Sequence, residues 1–335
     1  MKNITFLGAG SWGTALAIML GNQGHDVVLW SKIQAEVDML TEHREHMDRL
    51  PGVKLPDSVV VTADLEEACS KADMIVLSVA SPYVRSTAKE ACPYIKQGQI
   101  LVNVGKGIED ATLKTLSQVI GEEVPQADVA VLSGPSHAEE VSHGMPTTVV
   151  VGATTEKTAQ AVQKVFMNDV FRVYTSSDII GIELGGALKN VIALAAGVLD
   201  GLGMGDNTKA ALMTRGIAEM SRLGIAMGGK IETFCGLSGI GDLIVTCTST
   251  HSRNHNAGYL IGQGKTMQEA MDEVKQVVEG VYSAKAALAL ANKYQVSMPI
   301  VEAINAVLFD GLTAKEAIKQ LLSRERAVEY ASLGW

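Results

Sequence analysis

The chain has 335 residues, 47% of them hydrophobic and 19% charged, a balance that excludes an intrinsically disordered protein and is sufficient for two folded domains. Its formal net charge of −9 argues against a nucleic-acid partner and against stable association with an anionic membrane. A phosphorylated ligand would therefore have to be bound by a local cluster of basic side chains.

The first half of the chain alternates apolar strand-length runs with helical segments. Runs rich in Val and Ile predict strands at 3–7, 26–30, 72–79, 99–104, 127–133, 147–153 and 171–176. Helical patterns lie between the earlier strands, at 12–23, 34–48, 83–92 and 111–120. Apolar strands separated by helices are typical of a parallel sheet covered on both faces.

A glycine motif, Gly8-x-Gly10-x-x-Gly13, follows the first strand and opens a helix. In this context the first glycine allows a tight turn, the second allows backbone amides to approach a pyrophosphate, and the third allows close packing of helix and strand. The segment 3–23 carries no charge and is nearly long enough to span a bilayer, but its glycines divide it into strand and helix. We therefore interpret it as soluble core with a dinucleotide site.

The end of the second strand bears on the choice of cofactor. An NAD-selective site usually has Asp or Glu there to hold the ribose 2′-hydroxyl, whereas this chain has Ser31 and Lys32. Without a carboxylate to repel it, a 2′-phosphate could pair with Lys32. We expect NADPH to be preferred and NADH still to be accepted, and the alternative is that Lys32 is an ordinary solvated lysine.

Two motifs follow later strands, at the sheet edge where α/β proteins bind ligands. Lys106 lies between two glycines in NVGKG, which lacks Walker A spacing but could bind an anion. In SGPSHAEE, Gly134 leads into a helix whose first turn resembles a capping box from Ser136 to Glu139. Structural capping alone could account for Ser136.

Strand patterns end near residue 178, and the second half is helical. Helices are predicted at 179–201, 208–227, 266–274, 280–294, 299–309 and 313–323, the last capped by Thr313. The predicted fold class is α/β, with a doubly wound Rossmann-type parallel sheet domain at 1–178 and an all-helical domain at 179–335.

The segment IELGGALKN puts Lys189 in a long apolar helix. Gly185 and Gly186 lie one turn before the lysine, and Ile192 and Ala193 lie one turn after it. We interpret the two glycines as space for a ligand beside a proton-transfer lysine. The alternative is a lysine whose stem packs while its ammonium group reaches water.

A second polar cluster lies in LSGIGDLIVTCTSTHSRNHN. Its arginine, amide and hydroxyl groups are suited to a phosphate monoester, and the candidates are Asp242, Thr246, Ser252, Arg253 and Asn254. The alternative for Arg253 is a surface ion pair. His251 and His255 are four residues apart, but no carboxylate pattern supports a metal pair, and we expect no metal.

The motifs GAGSWGTALA, SGPSHAEEV, ELGGALKNVIALAAG, GLSGIGDLIVTCTS, SRN and VVEGV resemble, in order, those of the bacterial NAD(P)-dependent glycerol-3-phosphate dehydrogenases. The resemblance spans residues 8 to about 283. It implies reduction of dihydroxyacetone phosphate to sn-glycerol 3-phosphate, which supplies phospholipid synthesis. It also implies a Rossmann domain for the cofactor and a helical domain for the substrate phosphate.

The resemblance further implies site residues. Cofactor contacts would come from Gly8, Gly10, Ser11, Trp12, Gly13, Lys32, Lys106, Ala138, Arg253, Val277 and Glu279. Substrate contacts would come from Lys106, Gly134, Ser136, Lys189, Asp242, Ser252, Arg253 and Asn254. Lys189 would transfer the proton, with Asn190, Asp242 and Thr246 as further catalytic candidates. We hypothesise that the carboxylate beside Lys189 is Asp242.

Two alternatives stay open from the residues themselves. A β-hydroxyacid or 6-phosphogluconate-type dehydrogenase would have asparagine four residues after the lysine, where this chain has Ala193. A non-catalytic dinucleotide sensor would need the glycine loop without Lys189 or the Arg253 cluster.

The scattered cysteines favour reduced thiols in a cytoplasmic protein, and we expect a homodimer.

Overall fold

A computed structural model describes residues 1–325, 328 and 329. Its strands are β1 Asn3–Leu7, β2 Asp26–Trp30, β3 Glu45–His46, β4 Leu50–Lys54, β5 Val59–Thr62, β6 Met74–Leu77, β7 Ile100–Asn103, β8 Asp128–Ser133, β9 Thr147–Ala153 and β10 Phe171–Ser176. All seven strands expected from the sequence are present. The sequence reading missed β3, β4 and β5.

Eight strands form one sheet in the order β10-β9-β8-β7-β6-β1-β2-β5. Neighbours from β5 to β8 are parallel, β9 is antiparallel to β8, and β10 is parallel to β9. The chain order reverses beside β1, whose pairs run from Asn3–Asp26 to Leu7–Trp30 on β2 and from Ile4–Met74 to Leu7–Leu77 on β6. This reversal is the point at which doubly wound sheets bind nucleotides. The sheet is therefore parallel for six strands and mixed at its far edge.

Helices of the first half cover the sheet. They are α1 Ser11–Asn22, α2 Gln34–His43, α3 Leu65–Ser70, α4 Val84–Ala91, α5 Leu116–Glu123, α6 Ala138–Ser142 and α7 Glu156–Phe166. Two expected helices differ from the structure because single residues adopt left-handed backbone geometry. Arg44, at φ 50°, ends α2 before the β3–β4 hairpin, and Leu113, at φ 59°, keeps 111–115 out of α5.

The second half contains helices without strands among its described residues. They are α8 Ile179–Gly201, α9 Asp206–Ala226, α10 Ile231–Phe234, α11 Asp242–Thr248, α12 Arg253–Gly262, α13 Met267–Val274, α14 Glu279–Tyr294, α15 Pro299–Phe309 and α16 Ala314–Leu322. The Thr313 cap of α16 is confirmed as a capping box with Glu316. A π-helical turn, Leu237–Gly241, connects α10 to α11.

Helix α8 is the centre of the helical half, and nearly all of its residues are buried. By length and composition α8 and the stretch Ile231–Thr248 could each cross a membrane, but 89% of the apolar window of α8 is buried inside the protein. A helix that is hydrophobic all round is expected in a protein core.

Glycines bring α12 against α8 at backbone distance. A Cβ atom on Gly258 would overlap the carbonyl group of Leu194, and one on Gly262 would overlap that of Val198. From the other side, Gly197 meets the carbonyl group of His255. Because no side chain separates the helices, the first turn of α12 is held close to α8.

Candidate active site

A buried lysine–aspartate pair lies between α8 and α11. The Lys189 ammonium group donates to Asp242 Oδ1 at 2.7 Å and to Thr246 Oγ1 at 2.6 Å. Thr246 in turn donates to the Asp242 backbone carbonyl at 2.6 Å, so its hydroxyl is oriented to accept from the lysine. Lys189 is 6% exposed and Asp242 is fully buried. The carboxylate expected beside Lys189 is therefore present.

Lys106 reaches the same carboxylate from the sheet domain. It follows β7, and its Nζ donates to Asp242 Oδ2 at 2.6 Å, to the Gly134 carbonyl at 3.0 Å and to Ser136 Oγ at 3.0 Å. Two ammonium groups from different halves of the chain thus share one aspartate. With both lysines protonated, this cluster carries one net positive charge, which suits an anionic ligand.

Burial is the largest influence on the Lys106 ammonium group. It lowers the pKa of Lys106 from 10.5 to about 8, with the positive charge of Lys189 acting in the same direction and Asp242 opposing both. Lys106 is therefore easier to deprotonate than an ordinary lysine. Its position depends on Gly107, where a Cβ atom would lie 2.5 Å from that of Ser81.

The two glycines before Lys189 do not leave empty space, and our interpretation of them was wrong. A Cβ atom on Gly185 would overlap the carbonyl oxygen of Ser238 in the π-helical turn. One on Gly186 would lie 3.1 Å from Ser133 Oγ and 3.3 Å from Lys106 Cγ. Helix α8 lacks these side chains because the turn before Asp242 and the stem of Lys106 occupy the positions.

A second hydrogen-bond network begins beside Lys189. Asn190 Oδ1 accepts from Asn254 Nδ2 at 3.0 Å, and Asn190 Nδ2 donates to Glu279 at 3.3 Å. Asn254 Oδ1 accepts from the backbone N–H of Gly280 at 2.8 Å. Burial raises the pKa of Glu279, opposed by Arg253, Lys189 and Lys106. The first turns of α12 and α14 are thereby fixed to the lysine-bearing helix.

The arginine candidate lies at the beginning of α12. Ser252 caps this helix by accepting from His255 N at 3.2 Å, which gives it a structural role. Arg253 is exposed and donates to Gln276 Oε1 at 3.3 Å. Val277 is the next residue after Gln276, and Glu279 lies three residues after it. The guanidinium group has no salt bridge among the described residues, so the alternative of a surface ion pair receives no support.

The glycine loop has the geometry that its motif predicts. Gly8 adopts φ 122°, and a Cβ atom there would lie 2.7 Å from Val79 N, while one on Gly13 would overlap the Gly8 carbonyl. A Cβ atom on Gly10 would meet one atom within 4 Å, Arg49 Nη1 at 3.9 Å, so the loop backbone there is not covered by packed protein. Gly10 is the N-cap of α1, which has no side-chain cap, so Ser11 and Trp12 begin a helix whose N-terminus can bind phosphate. The residues present fit a dinucleotide.

The end of β2 differs from expectation. Lys32 is exposed and forms a salt bridge with Glu90 at 2.7 Å, and Ser31 donates to Glu36 at 2.6 Å. The premise that no carboxylate lies here is therefore wrong. Glu36 also pairs with Arg49 at 2.7 Å. Sequence reasoning missed this pair because Glu36 lies in the predicted helix 34–48 and Arg49 follows it, in the connection of the unpredicted β3–β4 hairpin.

The remaining candidates have mixed outcomes. The N-cap of α6 is His137 and not Ser136, whose hydroxyl donates instead to the Gly134 carbonyl at 2.8 Å, so the capping box was wrong. Ala138 is the first residue of α6 and is buried. His255 Nε2 is hydrogen-bonded to Asp200 Oδ2 at 2.7 Å, whereas the ring of His251 lies 5.8 Å from that of His137. His251 and His255 therefore have different partners and do not form a pair.

Comparison with known proteins finds one family of dehydrogenases over nearly the whole chain. Residues 3–159 match the family described as NAD-dependent glycerol-3-phosphate dehydrogenase N-terminus, and residues 178–319 match its C-terminus. Glycerol-3-phosphate dehydrogenase [NAD(P)+] of Agathobacter rectalis is 62% identical over 100% of both chains, and that of Fusobacterium nucleatum is 54% identical over 99% of this chain and 100% of its own. A crystal structure of glycerol-3-phosphate dehydrogenase from Coxiella burnetii superposes with a TM-score of 0.93 at 36% identity, covering 96% of this chain and 99% of the other.

Proposed function

The chain belongs to the NAD-dependent glycerol-3-phosphate dehydrogenase family. We propose which of its residues act in the reduction of dihydroxyacetone phosphate to sn-glycerol 3-phosphate. The observation that carries the proposal is the pair of ammonium groups, Lys106 and Lys189, on the single carboxylate of Asp242. One lysine can serve the reacting oxygen and the other the phosphate, since they approach the aspartate from different sides.

The cofactor site consists of the glycine loop and the uncapped N-terminus of α1. Gly10 leaves the backbone open to a pyrophosphate, and the helix N-terminus favours its negative charge. When bound, the nicotinamide exchanges a hydride with the substrate carbon. NADPH and NADH are both cofactors in this family, and we expect NADPH to be used at least as well as NADH.

Lys189 is the proposed proton donor. Reduction of a ketone builds negative charge on its oxygen, which a buried ammonium group can neutralise by donating a proton. Asp242 and Thr246 fix the Lys189 ammonium group at 2.7 and 2.6 Å, so its remaining N–H can be directed at the substrate. In the reverse direction the neutral amine would accept the proton from the alcohol. Asn190 supports this geometry through Asn254 and Glu279.

The substrate phosphate would be bound by cationic and hydrogen-bonding groups from both halves. Arg253 offers a guanidinium group without a salt bridge in the described structure, and Asn254 lies beside it. Lys106 and Ser136 add donors near the Gly134 loop. Charge-assisted contacts of this kind are the stronger hydrogen bonds in proteins.

Several wider proposals accompany the reaction. We propose a division at residue 178, into a dinucleotide domain at 1–178 and a substrate domain at 179–335, since β10 ends at Ser176 and α8 begins at Ile179.

The free cysteines favour a cytoplasmic enzyme, where its product would supply phospholipid synthesis. A homodimer would cover the exposed isoleucines of α9 to α11, namely Ile225, Ile231, Ile240 and Ile244.

The decisive experiment follows NADPH absorbance, which falls when a ketone is reduced and rises when an alcohol is oxidised, with three kinds of substrate. Dihydroxyacetone phosphate should be reduced rapidly and dihydroxyacetone, which lacks the phosphate, very slowly. A β-hydroxyacid and 6-phosphogluconate, tested in the oxidative direction, should be inactive. Turnover of either of these with none of dihydroxyacetone phosphate would overturn the proposal, and light scattering would test the dimer separately.

A further inference from the structure

A serine, a glutamate and an arginine form one hydrogen-bonded chain at the carboxyl end of β2. Ser31 Oγ donates to Glu36 Oε2 at 2.6 Å, and Arg49 Nη2 lies 2.7 Å from Glu36 Oε1. Ser31 Oγ also accepts from the backbone N–H of Ile33 at 3.2 Å, which leaves one lone pair on the hydroxyl. The Glu36 side chain is 11% exposed, whereas that of Arg49 is 39% exposed. The carboxylate is thus held inside, with the guanidinium group at the surface.

Arg49 also reaches the glycine loop. Its Nη1 is the nearest atom to the position that a Cβ atom would occupy on Gly10, at 3.9 Å. Gly10 caps α1, where the pyrophosphate of a dinucleotide binds. The end of β2 is where the adenosine ribose lies in such folds. Arg49 therefore spans the region between the two features that locate the ribose 2′ position.

The two charges of the Glu36–Arg49 pair have opposite preferences for the group at that position. A 2′-hydroxyl can donate a hydrogen bond and is best met by an acceptor, whereas a 2′-phosphate needs donors and positive charge. The Ser31 hydroxyl gives its proton to Glu36, so toward a ligand it can only accept. A guanidinium group can bind phosphate with two parallel N–H groups.

We propose that Glu36 and Arg49 together read the 2′ position of the cofactor. Ser31, whose hydroxyl is oriented by Glu36, accepts from the 2′-hydroxyl of NADH, and Arg49 turns to the 2′-phosphate of NADPH. One ion pair thereby accommodates both cofactors. This inference rests on the proposed function, since it concerns the cofactor of that same site.

Lys32 has a smaller part in this selection. Its side chain is 68% exposed, and its partner Glu90 is 42% exposed. An exposed ion pair of this kind contributes little, because solvent and salt screen both charges. The more enclosed Arg49 is therefore the stronger determinant of NADPH binding.

The test is direct binding by titration calorimetry, with NADPH, NADH and the fragments 2′,5′-ADP and 5′-ADP as ligands. Arg49→Gln should weaken NADPH and 2′,5′-ADP by about tenfold to a hundredfold, the loss of a charge-assisted contact, and should change NADH by less than about threefold. Glu36→Gln should weaken NADH by about tenfold and leave NADPH as tight or tighter. Lys32→Gln, the matched control, should change the NADPH affinity less than Arg49→Gln does.

Equal losses of NADPH and NADH in Arg49→Gln would overturn the inference, since the arginine would then contact the shared pyrophosphate. An unchanged NADPH affinity in that variant would overturn it as well. If the buried Glu36→Gln change prevents folding, Arg49→Lys replaces it as a second variant and should keep part of the NADPH preference by charge alone. A wild-type protein that binds neither dinucleotide would refute the proposed function itself.

Discussion

Lys106 and Lys189 bind opposite oxygens of the same carboxylate, Asp242 Oδ2 and Oδ1, at 2.6 and 2.7 Å. The first lysine follows a strand of the sheet, and the second lies in the central helix of the other half. Because a buried aspartate bearing two cations is fixed from both sides, each lysine can be changed while the other still neutralises the carboxylate. The first three predictions concern this cluster and Arg253.

Lys189→Met should abolish proton donation without collapsing the site. We expect turnover of dihydroxyacetone phosphate to fall by about 10²–10⁴-fold, the usual contribution of a general acid. The NADPH affinity should change little because Lys106 keeps Asp242 neutralised. Steady-state kinetics and calorimetric NADPH titration measure the two quantities, and a folded variant with near wild-type turnover would refute the assigned role.

Lys106 should produce a pH dependence in substrate capture. With its pKa lowered to about 8, the side chain is positively charged below that pH and neutral above it. The kcat/KM for dihydroxyacetone phosphate should therefore fall as pH rises through about 8, because kcat/KM reports the free enzyme. Lys106→Arg, which stays charged, should remove this inflection whatever its overall rate. An identical profile in both proteins would show that another group titrates.

Arg253→Ala should raise the KM for dihydroxyacetone phosphate by about tenfold to a hundredfold, the loss of one charge-assisted phosphate contact. Dihydroxyacetone should remain a poor substrate to nearly the same degree. Lys275→Ala removes an exposed positive charge beside Gln276, the hydrogen-bond partner of Arg253, and serves as the control. Equal loss with phosphorylated and unphosphorylated substrates would mean that Arg253 does not bind the phosphate.

The glycine contacts between α8 and α12 predict a stability difference between two otherwise similar substitutions. Gly258→Ala would force a Cβ atom onto the Leu194 carbonyl and should lower the free energy of unfolding by about 1–3 kcal/mol or more. Gly121→Ala in α5 meets no atom within 4 Å, so it should raise stability by about 0.5–1 kcal/mol. Thermal unfolding of both variants checks the sign, and a Gly258→Ala protein as stable as the wild type would contradict the packing.

The sequence predicted those elements whose signal is local. Helix α8 was obtained with its observed bounds because its apolar run is unbroken and Asp178 caps it, and the seven strands were found as apolar runs. Two of the errors, the end of α2 and the start of α5, arose where one backbone angle changes the direction of the chain. Arg44 and Leu113 have left-handed geometry that their side chains do not signal.

The site was predictable in its residue types but not in its contacts. The pairing of Lys189 with Asp242 followed from the need for a counter-ion, whereas the contact of Lys106 with Asp242 joins residues 136 positions apart. Gly185 and Gly186 were misread because a missing side chain looks the same in the sequence whether a ligand or another protein segment fills its position. Glu36 and Arg49 were missed because their pairing depends on the β3–β4 hairpin.

With both lysines protonated, the Lys106–Asp242–Lys189 cluster carries one net positive charge, and it is enclosed within a protein whose net charge is −9. A doubly charged phosphate ester approaching from a distance therefore meets a repulsive long-range field before it reaches the lysines. Added salt should screen this repulsion over the Debye length, so the bimolecular association rate should stay constant or rise with moderate ionic strength. This behaviour is opposite to that of enzymes whose exposed basic surfaces attract their substrates, and it means that the cluster discriminates among anions after encounter and does not accelerate the encounter itself.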